Sequence, residues 1–172
     1  ASLELKITIF ENDESIIPRV SQMSQKTNQF NLTTKRYTEG DIQTSLDDPD
    51  INVFAFSVAD KFGDSGITGL CIIKMDQKNS TADIDTFLMS CRIIGRNIEY
   101  AFMDYVIGKI KEKKIGELKA KYIKTLKNDQ VKEFYDKCGF KLVDRDESKI
   151  NYALSLVDYK PRKIKYIEVI NE

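Results

Sequence analysis

A glycine-containing segment between a predicted strand and a long predicted helix has the residue types of an anion site. The segment 91–99 contains Arg92, Gly95, Arg96 and Asn97. Backbone N–H groups in the first turn of a helix lack intrahelical partners, and the helix dipole adds about half a positive charge, so phosphate oxygens bind there. Gly95 removes a side chain from their approach, and Asn97 tolerates a left-handed backbone. When the segment is taken alone, an ordinary turn with two solvated arginines is the better explanation, because a single glycine turn is weak evidence for a site.

A second segment, 128–140, places a tyrosine on the body of a predicted helix. Asn128 stands at the predicted helix start, Tyr135 follows two turns later, and Gly139 ends the helix. A phenol with a pKa near 10 can donate its proton to a leaving thiolate, and such general-acid help contributes roughly 10²- to 10⁴-fold. Without the surrounding motif, a tyrosine packed on the core with its hydroxyl at the rim is the better explanation; with the motif, the proton donor is favoured.

Together the two segments resemble the GNAT (GCN5-related N-acetyltransferase) superfamily. The motif residues are Arg92, Gly95 and Asn97 in the pyrophosphate loop, where glycine or alanine is usual in place of Asn97, and Asn128, Tyr135, Gly139 and Phe140 in the second coenzyme A motif. The resemblance implies an acyltransferase that uses acetyl-CoA, another acyl-CoA or a phosphopantetheine thioester, without a metal.

The resemblance also implies roles for individual residues. Pantetheine would insert like an extra strand into a split between the fourth and fifth strands, beside residues 87–90, and the phosphates would sit on the amides of 94–97. Tyr135 would be the general acid. The implied coenzyme contacts are Leu88, Met89, Ser90, Arg92, Ile94, Gly95, Arg96, Asn97 and Asn128.

The general base is less well defined, because the chain has no histidine. This absence excludes a Ser-His-Asp triad, a Cys-His dyad and an imidazole-ligated metal centre. The carboxylates nearest the expected cleft are Asp83, Asp85 and Glu99. Strand alternation over 82–87 places both aspartates on one face, and Asp85 is our first candidate for a catalytic base. A solvated sheet face explains the aspartates equally well.

A narrower resemblance is carried by segments 22–34, 62–64 and 84–92. These segments are similar to the C-terminal domain of FkbH-like proteins (HAD superfamily, subfamily IIIC), in which a HAD-type phosphatase domain precedes a GNAT-like domain. The resemblance implies an acyl carrier protein or a small-molecule acceptor as partner, with a HAD-type domain in the parent protein. A non-catalytic module that docks a carrier protein for such a domain is the alternative. The acceptor would contact Asn28, Gln29, Phe30 and Asn31.

The elements that must position these residues predict an α/β protein with a mixed sheet. Their order is β-α-α-β-β-β-α-β-α-β-β, which is the order of the GNAT acyltransferase fold. A first strand is predicted over 3–10 and a long helix over 95–113. No linker interrupts 1–172, so we expect a single GNAT-like domain. The tail 163–170 is compatible with an edge strand or with a contact to another chain.

Three cysteines, Cys71, Cys91 and Cys138, lack the spacing of a zinc site or a disulfide framework. Cys91 precedes two arginines at a helix start, where a thiol pKa can fall below its usual value of about 8.5, as a transient acyl carrier requires. We favour the alternative that Cys91 is a small buried residue, because free cysteine is among the most buried residue types. The same expectation holds for the other two.

The overall charge is balanced, with 27 Lys and Arg residues and 27 Asp and Glu residues. No global field therefore favours a nucleic acid or an anionic membrane as partner. No apolar run reaches the roughly 18 residues that span a bilayer. Composition and cysteine usage predict a cytoplasmic location.

Overall fold

The computed structural model describes residues 4–171, whose strands form one mixed sheet flanked by four α-helices. The strands are β1 (Leu5–Glu11), β2 (Ile51–Asp60), β3 (Gly63–Asp76), β4 (Thr81–Met89), β5 (Glu117–Ile123), β6 (Lys141–Arg145), β7 (Lys149–Ser155) and β8 (Ile167–Asn171). The helices are α1 (Ile17–Lys26), α2 (Glu39–Asp47), α3 (Ile98–Glu112) and α4 (Phe134–Lys137). The predicted α/β class and element order are confirmed, with β8 added at the end. The predicted start of the first strand, Leu3, lies outside the described residues.

The strand order across the sheet is β6-β7-β5-β4-β3-β2-β1-β8. The segment from β2 to β4 is an antiparallel meander, whereas β4 pairs with β5 and β1 with β8 in parallel. Of the two alternatives for the tail, the structure has the edge strand. No helix among residues 4–171 is long and apolar enough to cross a membrane.

Alternate residues of the central strands pack on opposite faces of the sheet, as the pleat of a strand requires. Val53 and Leu88 belong to the apolar cluster that also contains α1 and α2 residues. Phe54 and Phe87 belong to the cluster that contains α3 and α4 residues. The helices therefore cover both faces, with α1 and α2 on one side and α3 and α4 on the other.

The parallel pair of β4 and β5 is short. Its register runs from Thr81 opposite Glu117 to Ile84 opposite Ala120 and then ends, although β4 continues to Met89. The two strands therefore diverge towards their carboxyl ends. In parallel sheets, ligands bind at this end of the strands, so the split is the expected position of a ligand site.

Candidate functional site

The loop between β4 and α3 presents a run of backbone N–H groups. Gly95 and Asn97 have left-handed backbones, with φ of 91° and 64°, and Asn97 is the N-cap of α3. Among residues 4–171, no protein group accepts a hydrogen bond from the backbone N–H of Gly95, Arg96 or Asn97. Such a concave run at the positive end of a helix binds anions. A Cβ built at Gly95 would meet nothing within 4 Å, so the space beside it is open.

The Arg92 and Arg96 side chains hold this loop to the sheet. Arg96 Nη2 lies 2.9 Å from Asp60 Oδ2, and the hydrogen bond from Arg96 lowers the pKa of the Asp60 carboxyl group. Arg92 donates to Ser90 Oγ and to the Ser65 carbonyl oxygen, both at 3.2 Å. Both guanidinium groups are thus engaged, so the backbone N–H groups are the loop's free donors for a phosphate.

A cavity of about 260 Å³, the α3–α4 groove, lies beside this loop. Its lining residues are Phe30, Ile94, Gly95, Asn97, Glu99, Tyr100, Gln130, Val131, Phe134 and Lys137. The structure therefore brings three of the predicted coenzyme residues, Ile94, Gly95 and Asn97, to one cavity.

Glu99 is an acidic side chain in the α3–α4 groove, where an anion is expected. It lies in the first turn of α3, is 7% exposed, and its Oε1 has no hydrogen-bond partner in the described part of the chain. Burial raises the pKa of Glu99, whereas its own backbone N–H and the charges of Arg162 and Lys137 act to lower it. The neutral form of Glu99 is the form compatible with a phosphate on the same helix end.

Tyr135 is fully buried beneath the site. Its ring packs against Phe140 and Tyr152, with ring centroids 5.1 and 5.6 Å away. Within residues 4–171 its hydroxyl group has no hydrogen-bond partner, and burial raises the pKa of Tyr135 well above its usual value. The phenol therefore stays protonated, as a proton donor must, but it does not line the α3–α4 groove.

The split between β4 and β5 is filled by a short piece of this chain, residues 30–32. Leu32 N–H donates to the Phe87 carbonyl oxygen at 3.1 Å, and Met89 N–H donates to the Phe30 carbonyl oxygen at 3.0 Å. On the other side, β5 donates from its last residue to the Leu32 carbonyl oxygen at 2.8 Å. This segment takes the place of the extra strand that pantetheine was predicted to form.

The split into which pantetheine was expected to insert is therefore filled by the chain itself in this structure. Leu88 is buried and forms an antiparallel bridge with Asn31, and the Met89 N–H is already bonded. A ligand could bond to β4 only after 30–32 has moved. Ser90, just beyond the strand, lines a neighbouring pocket instead.

Asn128 fastens residues 30–32 to β5. Its Nδ2 donates to the carbonyl oxygens of Asn31 and Ile123, both at 2.9 Å. Its Oδ1 accepts from the Thr125 N–H at 2.8 Å and from the Tyr122 hydroxyl at 3.0 Å. These four bonds use both amide hydrogens and both oxygen lone pairs. The whole hydrogen-bonding capacity of the Asn128 side chain is thus used by the fold, so the structure does not support the coenzyme contact predicted for it.

A larger cavity of about 750 Å³, the α1-side pocket, lies on the other side of residues 30–32. Its lining residues are Arg19, Met23, Lys26, Thr27, Asn28, Gln29, Phe30, Ser90, Cys91, Arg92, Leu126 and Lys127. Four of these residues are cationic and none is acidic. Three of the predicted acceptor residues, Asn28, Gln29 and Phe30, lie here. Asn31 does not, since it is buried and bonds to the Thr27 carbonyl oxygen and the Thr34 N–H.

Two of the three cysteines are buried, whereas all three were expected to be. Cys91 is exposed and lines the α1-side pocket, so the expectation of a small buried residue is wrong there. It follows β4 in a 3₁₀ turn that projects from the sheet. Cys71 and Cys138 are buried, as expected, and burial raises the pKa of both thiols.

Asp85 forms a buried ionic cluster on the α1 face of β4. Its Oδ1 lies 2.6 Å from Lys35 Nζ and 3.3 Å from Lys74 Nζ. Its Oδ2 accepts from the Tyr37 hydroxyl and from Thr86 Oγ1. Burial opposes ionisation, but the bonds from Lys35 and Tyr37 and the two lysine charges outweigh it and lower the pKa of Asp85. A catalytic base needs free lone pairs and a pKa near the working pH, so these contacts do not support the predicted role of Asp85 as base.

The other predicted carboxylate, Asp83, is exposed. A register shift in β4 between the partners of Ile84 and Thr86 places Asp85 at a bulge, and Tyr37 contacts both Asp85 and Thr86. The prediction from strand alternation put both aspartates on one face because it assumed a regular strand. No residue pattern in the sequence indicates the bulge.

Comparisons with known proteins give structural matches alone: no family model and no curated relative matches this chain. The ribosomal-protein-S18-alanine N-acetyltransferase of Escherichia coli has a TM-score of 0.66 at 11% identity, over 92% of this chain and 98% of that one. The spermidine N-acetyltransferase of Vibrio cholerae, solved with CoA and spermine, has a TM-score of 0.69 at 10% identity, over 89% and 97%.

The IAA acetyltransferase of Bacillus cereus has a TM-score of 0.60 at 14% identity, over 87% of this chain and 99% of that one. The chain thus has the fold of these acetyltransferases, the GNAT fold.

Proposed function

We propose that this chain, which has the fold of N-acetyltransferases, binds acetyl-CoA, another acyl-CoA or a carrier-bound phosphopantetheine thioester and transfers the acyl group to an acceptor. The observation that carries the proposal is the run of free backbone N–H groups at 95–97, which opens beside the α3–α4 groove. The open space at Gly95 fits the close approach of phosphate oxygens.

In this proposal each part of the site has one task. A bound thioester supplies an activated acyl group. The amides of 95–97 and the amino-terminal end of α3 hold the pyrophosphate. Tyr135 supplies the proton for the leaving thiolate, because its buried phenol stays protonated and its hydroxyl is free of other partners in the described part of the chain. This task requires residues 30–32 to move, since they now fill the split between β4 and β5 in which pantetheine is expected.

The acceptor that we propose is anionic: an acyl carrier protein or a small acid. The support is the charge of the α1-side pocket, where none of the cationic residues Arg19, Lys26, Arg92 and Lys127 belongs to a salt bridge among residues 4–171. Because the whole chain is neutral, this is a local concentration of charge that attracts anions. A HAD-type partner domain remains a prediction from sequence resemblance.

A second candidate function is a non-catalytic module that docks a carrier protein for a HAD-type domain. Two observations favour it: the split is filled by residues 30–32, and Tyr135 lines neither cavity. A domain that never binds the thioester itself needs neither an open split nor a tyrosine that reaches a cavity.

One pair of measurements tests the proposal and separates the two candidates. Amide NMR signals of Gly95, Arg96 and Asn97 should shift on addition of CoA, while the signal of the exposed Lys111 at the far end of α3 should not. Mass spectrometry should then detect transfer from acetyl-CoA to an added carrier protein. CoA-dependent shifts without any transfer would favour the docking module. An absence of shifts at 95–97 would remove both functions that depend on this loop.

A further inference from the structure

Phe30 is the residue that the two cavities of the site share. Within residues 4–171, it alone lines both the α3–α4 groove and the α1-side pocket. The groove has a volume of about 260 Å³ and the pocket about 750 Å³. Phe30 therefore lies at the boundary between the α3–α4 groove and the α1-side pocket. The loop between β4 and α3, which carries the free N–H groups of 95–97, borders the groove and is called the anion loop below.

The ring of Phe30 is held by two other aromatic rings from different elements. Its centroid lies 5.3 Å from that of Phe134 on α4, in an edge-to-face arrangement, and 6.1 Å from that of Phe87 on β4. Phe30 is 3% exposed. Its ring therefore packs against both β4 and α4, whose own Phe87 and Phe134 rings are in contact at 4.8 Å.

The backbone around Phe30 is fixed more firmly than its ring. The Phe30 carbonyl oxygen accepts from Met89 N–H, and the next two residues bond to β4, to β5 and to Asn128. A rotation of the ring breaks none of these hydrogen bonds and changes only apolar contacts. The side chain is thus the part of 30–32 that can adapt to a bound acyl group without breaking these hydrogen bonds, before any movement of the segment that transfer requires.

We propose that Phe30 determines which acyl groups the domain accepts, by limiting the space at the end of the α3–α4 groove. This inference rests on the proposed function. An acyl group that approaches from the anion loop meets the Phe30 ring before it can reach the α1-side pocket. A short acyl group needs a small displacement of the ring, whereas a long acyl group needs the volume that the ring occupies. Removal of the ring joins the two cavities.

The test compares the parent chain with Phe30→Ala and the milder Phe30→Leu. Calorimetric titration with CoA, acetyl-CoA, butanoyl-CoA and hexanoyl-CoA gives a dissociation constant for each pair. One methylene group in an apolar pocket changes discrimination by about 10- to 200-fold, so Phe30→Ala should bind hexanoyl-CoA at least tenfold more tightly than the parent does. Its affinity for CoA without an acyl group should change by less than about threefold, and Phe30→Leu should be intermediate.

Phe54→Ala is the matched control, because Phe54 is also buried but lines neither cavity. It should lower stability without changing the ratio between hexanoyl-CoA and CoA affinity. Binding of hexanoyl-CoA by Phe30→Ala but not by the parent supports the inference. An equal change for all four ligands, or an unchanged ratio in both Phe30 variants, overturns it while the proposed function stands. An absence of binding to every variant removes the proposed function and this inference with it.

Discussion

The Asn128 side chain donates a hydrogen bond of 2.9 Å to the carbonyl oxygen of Asn31, which lies 97 residues earlier in the chain. Through this bond the turn that follows β5 holds the segment that fills the split. A residue that the superfamily motif assigns to the coenzyme thus has a structural task here. The two tasks have different experimental consequences, because a structural residue affects folding in the absence of any ligand.

Asn128→Ala should lower the free energy of unfolding by at least about 1–3 kcal/mol, the penalty for one stranded buried polar group. The substitution leaves the Asn31 carbonyl oxygen and the Thr125 N–H without their side-chain partner. Urea unfolding without ligand measures the effect. Asn128→Asp should be no milder, because its carboxylate would face the carbonyl oxygens of Asn31 and Ile123 that now accept from Nδ2. The control is Asn79→Ala at an exposed position, which should change stability by less than about 0.5 kcal/mol. Unchanged stability in Asn128→Ala would show that these bonds contribute nothing to the fold.

Asp85→Asn should destabilise the protein at neutral pH by about 1–3 kcal/mol, as expected for lost hydrogen bonds to a charged group. Because the pKa of Asp85 is lowered in the folded state, its contribution is present above its unfolded pKa of about 3.9 and is lost as the pH falls through the lower folded pKa. The difference in the free energy of unfolding between the parent and Asp85→Asn should therefore become smaller below about pH 4. Urea unfolding at pH 7 and pH 3 measures this. The exposed Asp83→Asn should change stability by less than about 0.5 kcal/mol. A stability difference that becomes larger at pH 3 would contradict the ionised state of Asp85 in this cluster.

Glu99→Gln should stabilise the protein at neutral pH. Burial raises the pKa of Glu99 in the folded state, so ionisation opposes folding increasingly as the pH rises above the unfolded pKa of about 4.3. Below that pH both forms are neutral, and the advantage of the variant should disappear. The variant should also bind CoA more tightly at pH 7, since a negative charge leaves the helix end. Thermal unfolding and calorimetry at pH 4 and pH 7 measure both effects. Lower stability of the variant at pH 7 would refute this account of Glu99.

Tyr135→Phe should leave stability unchanged or raise it, because the Tyr135 hydroxyl is buried without a partner among residues 4–171. Its acyl-transfer rate should fall by roughly 10²- to 10⁴-fold with little change in CoA affinity, as expected for a general acid. Tyr152→Phe is the control: its hydroxyl donates to Asp136 Oδ2 at 2.8 Å, so that variant should lose stability. An unchanged transfer rate in Tyr135→Phe would remove Tyr135 from the mechanism.

The regular elements could be predicted because their signals are local. The capping box of Thr38 and Asp41 is such a local signal, and α2 begins one residue after Thr38. By contrast, the predicted helix over 128–137 is shortened to a 3₁₀ turn and the four residues of α4. Asn128 does not start a regular helix, because its side chain bonds to backbone groups of Asn31 and Ile123 outside the segment.

The site was predicted less completely than the fold, because its contacts join distant parts of the chain. The anion loop was predictable from Gly95 and Asn97, whose backbones adopt the left-handed form that the residue types favour. The filling of the split had one weak signal, the apolar alternation of Phe30 and Leu32 within a polar stretch. The partners of Asp85 had none, since Lys35 lies 50 residues away in the chain.

The measurement that tests the central claim most directly is CoA binding by a matched pair of glycine variants. Gly95 and Gly139 both have φ of 91°, and a Cβ at either position would meet nothing within 4 Å. Gly95→Val and Gly139→Val should therefore strain the backbone similarly, and thermal unfolding should show comparable losses. Only Gly95→Val also places a side chain where a phosphate must approach the amides.

Calorimetric titration with CoA should give similar dissociation constants for the parent and for Gly139→Val. Gly95→Val should bind at least about tenfold more weakly, a loss of about 1.4 kcal/mol that the loss of one charge-assisted hydrogen bond explains. If folded Gly95→Val binds CoA as tightly as Gly139→Val does, the loop between β4 and α3 is not the pyrophosphate site, and the proposed thioester function loses the observation that carries it.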